Sequence, residues 1–153
     1  MIPENLKENP VVAALAGLLT SAKFAFDELT IETAPENIAE VLGGLKHGLG
    51  FERLTSVTGV DRFPYEPRFE VVYHLQSIAG KARLRVKTRV SGAIAEVPTV
   101  TGVYSGAEWY ERETFDLFGI RFTGHPDMRR IMMPDDWEGH PLRKDYPITG
   151  SRY

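Results

Sequence analysis

The stretch FEVVYHLQSIAGKARLRVKTRV, residues 69–90, decides the architecture. On its first arm Phe69, Val71, Tyr73 and Leu75 alternate with other residues, and on its second Leu84, Val86, Thr88 and Val90 do the same. A short break containing Ala79 and Gly80 separates them. Period-two alternation on both sides of a glycine-bearing break predicts a β-hairpin with one face in a core. The opposite face of the second arm carries Arg83, Arg85, Lys87 and Arg89. That basic stripe reads as a solvated outer face, including an edge strand protected by its charge, or as a docking surface for an acidic partner.

Toward the N-terminus, Leu54 to Val60 reads as a further strand, ended by Asp61 and the Pro64 to Pro67 loop. From Pro35 the apolar positions Ile38, Val41, Leu42, Leu45 and Leu49 recur at helical spacing. They predict an amphipathic helix, with Thr33 or Ala34 as cap and Gly48 or Gly50 as stop. Phe24 to Ile31 mixes aromatic and β-branched residues with charges, predicting one half-buried strand whose alternation slips near Asp27 and Glu28. The apolar run Val11 to Leu19 is about half as long as a membrane span requires. As a signal peptide it fails on its flank, where Glu4 and Glu8 outweigh Lys7, and Pro10 instead suits the first turn of a short helix. The expectation is a cytoplasmic chain that does not cross a membrane.

Toward the C-terminus, Ser105-Gly106-Ala107-Glu108 fits a capping box, in which the serine and glutamate side chains satisfy free N–H groups. The helix it opens runs from Ala107 to Phe118, with Gly119 free to adopt the left-handed conformation that closes it. On a helical wheel Ala107, Tyr110, Thr114, Phe115, Leu117 and Phe118 share the core arc. Glu111 falls inside that arc, which predicts an arginine or backbone donors against its carboxylate. Trp109 lies instead among Glu108, Arg112, Glu113 and Asp116, either as an anchor for a partner or covered by the following tail.

Beyond Gly119 the chain is rich in proline, glycine and charge and shows no sustained period, so an irregular, extended tail is expected. His125-Pro126 and His140-Pro141 hold both histidines in extended backbone. With Asp127, Asp135 and Asp136 they bring a metal site to mind, but the spacing matches no compact ligand motif, and imidazoles bonding backbone groups is the favoured reading. Arg129, Arg130, Arg143, Lys144 and Arg152 make the tail basic where the preceding helix is acidic, suggesting internal pairing or a partner groove.

The fold class expected is α+β: a small, mostly antiparallel sheet built on the hairpin 69–90 and packed with amphipathic helices. Residues 1–120 form the core domain and 121–153 an extended docking tail of the same domain. The 153 residues, 42% of them hydrophobic, suit one such core. A net charge of -3 gives no global basic field for nucleic acid. The complete absence of cysteine removes disulfides, thiolate-held iron–sulfur clusters and cysteine nucleophiles from this chain. No phosphate-binding glycine loop or nucleophile elbow is present, so no catalytic residues are assigned.

The stretch WYERETFDLFGI, residues 109–120, and its continuation GHPDMRRIMMPDDWEGHPLRKDYP, residues 124–147, cover about a quarter of the chain. Together they resemble the hallmark of the C-subunit family of proton-pumping NADH:quinone oxidoreductase, respiratory complex I. Met128, Met132 and Met133 stand where bulky aliphatic residues are usual, and Glu138 where an aromatic is. The resemblance implies a peripheral-arm subunit with no redox centre, FMN and iron–sulfur clusters belonging to its partners. Its partners would be the other subunits of the complex, especially the terminal iron–sulfur-cluster subunit (B) and the quinone-cavity subunit (D), with no nucleic acid, and membrane contact on the cytoplasmic side only through the complex. By the same resemblance the docking or structural motif comprises Trp109, Glu111, Arg112, Glu113, Asp116, Gly119, His125, Pro126, Asp127, Arg129, Arg130, Gly139, His140, Pro141, Arg143, Lys144 and Asp145. The chain stops soon after Pro147, which suggests a free member of that family rather than a fusion with the next subunit. A homologous subunit of an energy-converting membrane hydrogenase or related dehydrogenase is the alternative, and a free-standing nucleic-acid or metal-binding domain the alternative from another class.

Overall fold

In the computed structural model, which describes residues 2–149, the hairpin is the middle of the sheet. Strands β4 (Phe69–Ser77) and β5 (Ala82–Val90) pair antiparallel from Phe69 opposite Val90 to Ser77 opposite Ala82. Strand β3 (Arg53–Asp61) continues the antiparallel order beside β4. On the other side β5 pairs in parallel with β2 (Glu28–Thr33), and β1 (Leu19–Ala25) closes the sheet antiparallel to β2. The order is therefore β1-β2-β5-β4-β3, and the sheet is mixed through one parallel pair.

This order corrects the edge-strand reading of the basic stripe, because β5 is hydrogen-bonded on both sides. Two of its four cations are held by neighbouring strands. Arg85 pairs with Glu28 at 3.3 Å and donates to Nε2 of His74, while Lys87 pairs with Glu70 at 3.2 Å. The single strand expected over Phe24 to Ile31 is two strands. Phe26 and Asp27, at φ 54° and 58°, form the tight turn between β1 and β2, and a turn of this hand suits the twist of a hairpin. The slip in alternation is the turn itself.

The apolar run near the start is shared between two elements. Helix α1 (Pro10–Leu15) begins where the Asn9 side chain accepts from the Val11 N–H at 3.0 Å, and one 3-10 turn over Ala16–Leu18 leads into β1. Helix α2 (Ile38–Gly48), entered through a 3-10 turn at Pro35–Asn37, buries Ile38, Val41, Leu42 and Leu45 completely. Of the two expected caps, Ala34 precedes the 3-10 turn and accepts the Asn37 N–H on its carbonyl at 3.0 Å, with no side-chain cap. Thr33 spends its hydroxyl on the Leu18 carbonyl at 2.6 Å, and Asn37 precedes the helix without a side-chain cap. The inward residues of β4 and β5, with Ile31 and the buried face of α2, make one core.

Helix α3 (Ala107–Phe118) has the expected bounds but not the expected start. Gly106 is already right-handed helical and no side chain caps the helix, so the capping box does not form. Backbone turns serve instead, with the Tyr104 N–H on the Val100 carbonyl and the Ala107 N–H on that of Tyr104. At the far end Gly119 is left-handed, at φ 77°, and donates to the Phe115 carbonyl. Two strands went unforeseen, β6 (Glu96–Pro98) and β7 (Arg121–Thr123), which pair in parallel and place the start of the expected tail within the core. Three-residue strands are too short to show a period. No helix among the described residues is long and apolar enough to cross a membrane.

Helix α3 meets the sheet at Gly59 of β3, where an added Cβ would stand 2.9 Å from the Phe118 ring. Gly59→Val is expected to destabilise the chain by roughly 1–3 kcal/mol through overpacking, read as a lower urea midpoint with an unchanged m-value.

Candidate functional site

A helix ends with carbonyls that its own backbone leaves unpaired. At the end of α3 the tail supplies their donors. His140 Nδ1 bonds the Asp116 carbonyl at 3.0 Å, the Leu142 N–H that of Leu117 at 2.9 Å, and Arg143 Nε that of Phe118. Placing cations at a helix C-terminus also opposes the negative end of its dipole. Gly119 is needed at this spot for two reasons. Its φ is left-handed, and a Cβ there would lie 2.5 Å from Arg143 Nη2 and 2.6 Å from the His140 ring.

Asp116 fixes the tail from its side-chain end. Its Oδ1 takes Arg130 Nη1 at 2.6 Å, and its Oδ2 takes the N–H groups of Ile131, Met132 and Met133 at 3.1, 2.7 and 2.8 Å. Burial by itself pushes this carboxyl up, but the Met133, Met132 and Ile131 amides and the Arg130 guanidinium together hold it below the ordinary aspartate range. Arg130 reaches on to the Gly139 carbonyl at 2.9 Å, joining two parts of the tail.

A second anchor lies at the end of β3. Asp61 accepts from Arg68 through both oxygens at 2.9 Å, from the Phe63 N–H at 2.9 Å and from the Lys144 N–H at 2.8 Å. Arg68 also holds Asp145 at 2.7 Å and lies over the rings of Phe63 and Phe69. Burial opposes ionisation of Asp61, yet Arg68 and the two amides keep its carboxyl far below the usual range.

Toward the start of α3 the contacts are of the same kind. His125 donates from Nε2 to the Glu108 carbonyl at 3.1 Å and accepts the Asp127 N–H on Nδ1 at 2.9 Å. Arg112 donates to the Arg129 and Arg130 carbonyls and lies over the Trp109 ring at 5.1 Å. Asp127 and Arg129 form an exposed pair, while Glu113 and Pro126 face outward. The two histidines thus bond carbonyls eight residues apart on α3, roughly 12 Å along its axis. Among the described residues no three His, Asp or Glu side chains converge on a metal position.

One expectation changes in this light, and two that stood open are decided. Arg112 and Asp116, assigned to the polar side of α3, are buried because the tail covers that side. Trp109 stays 58% exposed, so the tail does not cover it. Against Glu111, fully buried, the backbone alternative holds: the Val100 N–H donates to it at 2.9 Å beside the Thr99 hydroxyl, with no arginine, and burial pushes its carboxyl up. It therefore faces the core, away from the tail. Arg152 lies outside the described residues. Asp61 and Arg68 were not singled out by sequence, since their ties to Lys144 and Asp145 span about half the chain and leave no local pattern.

The fold belongs to a class of α+β subunits of respiratory complexes. It aligns with a trypsin-resistant fragment of Nqo5 at TM-score 0.69 and 32% identity, over 78% of this chain and 97% of that one. It also aligns with a chain of the membrane-bound sulfane sulfur reductase, an archaeal respiratory membrane complex, at TM-score 0.75 and 30% identity, over 94% of this chain and 81% of that one. The family model for the 30 kDa subunit of respiratory-chain NADH dehydrogenase matches residues 31–152, and the chain belongs to that family. Among its relatives, the C subunit of NADH-quinone oxidoreductase from Citrifermentans bemidjiense is 50% identical over 80% of this chain and 76% of its own length. That of Roseiflexus castenholzii is 48% identical over 92% and 85%.

Two carboxyls of opposite tendency give a contrast in solution. Asp116→Asn is expected to cost about 3 kcal/mol or more, because it leaves Arg130 and three amides without their anion. The folded value of Asp116 lies below the unfolded one, so its stabilisation is complete above roughly pH 5 and is lost as pH falls through the folded value. Limited proteolysis at falling pH should cut wild type within 128–146, and the variant already at neutral pH. Glu111 has the opposite sign: its raised value means stability is lost as pH rises from the unfolded value toward the folded one. Glu111→Gln should flatten that loss in a pH series of melting curves while leaving the acid limb to the aspartates.

Proposed function

We propose that this chain is a cofactor-free structural and assembly subunit of the peripheral arm of a proton-translocating NADH:quinone oxidoreductase, where it braces the quinone-reducing module while electrons pass from NADH to quinone. Its neighbours are the subunit with the terminal iron–sulfur cluster and the subunit that shapes the quinone cavity. FMN and the iron–sulfur clusters reside in partner subunits of the complex, in keeping with a chain that has no cysteine. It is held at the cytoplasmic side of the cell membrane by the complex alone.

One observation carries this reading. The tail is strapped along α3 through its polar groups, yet Trp109, Met132 and Leu142 remain exposed on the motif itself. Large apolar side chains on a surface that is already ordered fit an interface awaiting a partner. Arg112, Asp116 and Arg130 of the motif are committed to holding the tail, which supports positioning rather than chemistry. A second reading, a homologous subunit in a related membrane dehydrogenase or hydrogenase, draws support from the likeness to the sulfane sulfur reductase chain.

The test is purification of the N-terminally tagged chain from its native membranes, with identification of what accompanies it. Iron–sulfur and quinone-site subunits with NADH-dependent quinone reduction are expected. A nickel subunit with hydrogenase activity would select the second reading, and a chain that came alone with metal or oligonucleotide would overturn both. Trp109→Ala, at an exposed position, should change chain stability by no more than about 0.5 kcal/mol while lowering recovery of partners. Full assembly with selective loss of turnover would contradict the bracing role.

A further inference from the structure

The outer face of the sheet is left bare by the described residues. Helices α1 and α2 bury their apolar sides in the core, and α3 packs on Gly59 through Phe118, all on the other face. The residues that point outward are biased in charge. Arg83, Arg85, Lys87 and Arg89 follow one another along β5, with Lys23 on β1 and Arg62 just past β3. The carboxylates among them are Glu28, Glu32 and Glu70, half as many. One shallow recess shows the imbalance locally, with Lys23, Arg62, Lys87 and Arg89 around it and only Glu32 and Glu70 between them. A second recess, joined to it through Lys23, Thr30 and Lys87, adds Arg85 and Glu28.

The carboxylates on this face are already taken. Arg62 and Lys87 share Glu70, Arg85 holds Glu28, and Glu32 accepts from the Ser21 hydroxyl. Lys23, Arg83 and Arg89 form no ion pair among the described residues, and the Nε–H of Arg89 is buried without an acceptor. Charges at the margin leave an excess of two: Lys81 and Arg53 match Asp27 and Glu52, Glu66 removes one, and the neighbouring corner balances Arg68 and Arg143 against Asp61 and Asp145. Strand β5 is central, so its cations guard no sheet edge, and their mutual repulsion opposes the fold. At the rim of the second recess stands Phe26, 102% exposed. It and Asp27 make the two-residue turn between Ala25 and Glu28, both at positive φ, where glycine, asparagine and aspartate suit the backbone. A phenylalanine there strains the turn and buries nothing, so it weakens the chain that carries it.

We propose that the bare face of the sheet seats an acidic surface of a neighbouring subunit, with Phe26 inserted into an apolar hollow beside that subunit's carboxylates. This rests on the reading of the chain as a member of a larger complex and adds an interface separate from α3 and the tail. Lys23, Arg83 and Arg89, which no carboxylate of this chain answers, supply the charged contacts, and the Phe26 ring supplies the anchor.

The test compares wild type, Phe26→Asn, and a double variant carrying Lys23→Glu and Arg83→Glu, as tagged full-length chains in their native membranes, with a melting curve of each purified chain. Asparagine suits the left-handed turn, so Phe26→Asn should melt about 2–4 °C above wild type. At least one partner subunit should nevertheless be recovered about tenfold less, as for truncation of an interface anchor. The double variant changes two exposed positions that form no ion pair, so it should melt at the wild-type temperature or higher. It should lose the same partner about tenfold, and wild-type recovery of that partner should fall as salt is raised. Wild-type recovery of every partner by either variant would overturn the proposal and leave the subunit reading standing. Loss of melting temperature in step with partners would also overturn it, making these residues supports of the hairpin and sheet alone. Sedimentation with phosphatidylglycerol vesicles that both variants abolish, with partner recovery intact, would assign the face to a lipid surface instead. Wild type that brings no partners would overturn the subunit reading as well.

Discussion

The unpaired carbonyls at the end of α3 are the constraint on which the outer half of this molecule depends. A helix that stops against water loses little, but one that stops beneath another segment must be given donors. The tail provides them from His140, Leu142 and Arg143 in turn, one for each of the carbonyls at 116, 117 and 118. Asp116 takes part twice, through its carbonyl and through the carboxylate that gathers the amides of 131 to 133. Without these bonds a segment so poor in regular structure would gain too little on ordering to offset its lost conformational freedom.

The same arrangement explains why α3 is buried on nearly all sides although its sequence is amphipathic and acidic. The sheet takes one side, with Thr114 and Phe118 inward, and the tail takes Arg112 and Asp116 on the other. The carboxyls divide accordingly. Asp61 and Asp116 are ringed by donors and held ionised, whereas Glu111 lies in the core with two neutral donors and is pushed toward its protonated form. The tail side of the molecule is organised by full charges and the core side by burial.

A tail that is ordered by its own chain presents a surface whose conformational cost is met before any partner arrives, which favours tight association. The outer face of the sheet has a different character. Of its cations, Arg85 is answered across strands by Glu28, and Lys87 and Arg62 share Glu70, the latter at 3.1 Å, while Arg83 and Arg89 form no ion pair among the described residues, so an excess of positive charge remains there. Exposed apolar side chains of the motif, Trp109, Met132 and Leu142, lie on the α3 and tail side.

The hairpin 69–90, α2 and the bounds of α3 were legible in the sequence because each is long enough to repeat its period several times against one core. The motif from Trp109 to Pro147 was legible as a family resemblance, without saying what its residues touch. Tertiary structure alone decided that β5 is central, that Phe26 and Asp27 make a turn, and that the three-residue strands β6 and β7 exist, since strand order and short pairings leave no period to read. It alone decided that Glu111 faces Thr99 and Val100, that Asp116 faces the tail, and that Asp61 and Arg68 join it. Those are contacts between residues far apart in the chain, and which carboxylate meets which donor is set by where the folded backbone brings them, not by any spacing in the sequence.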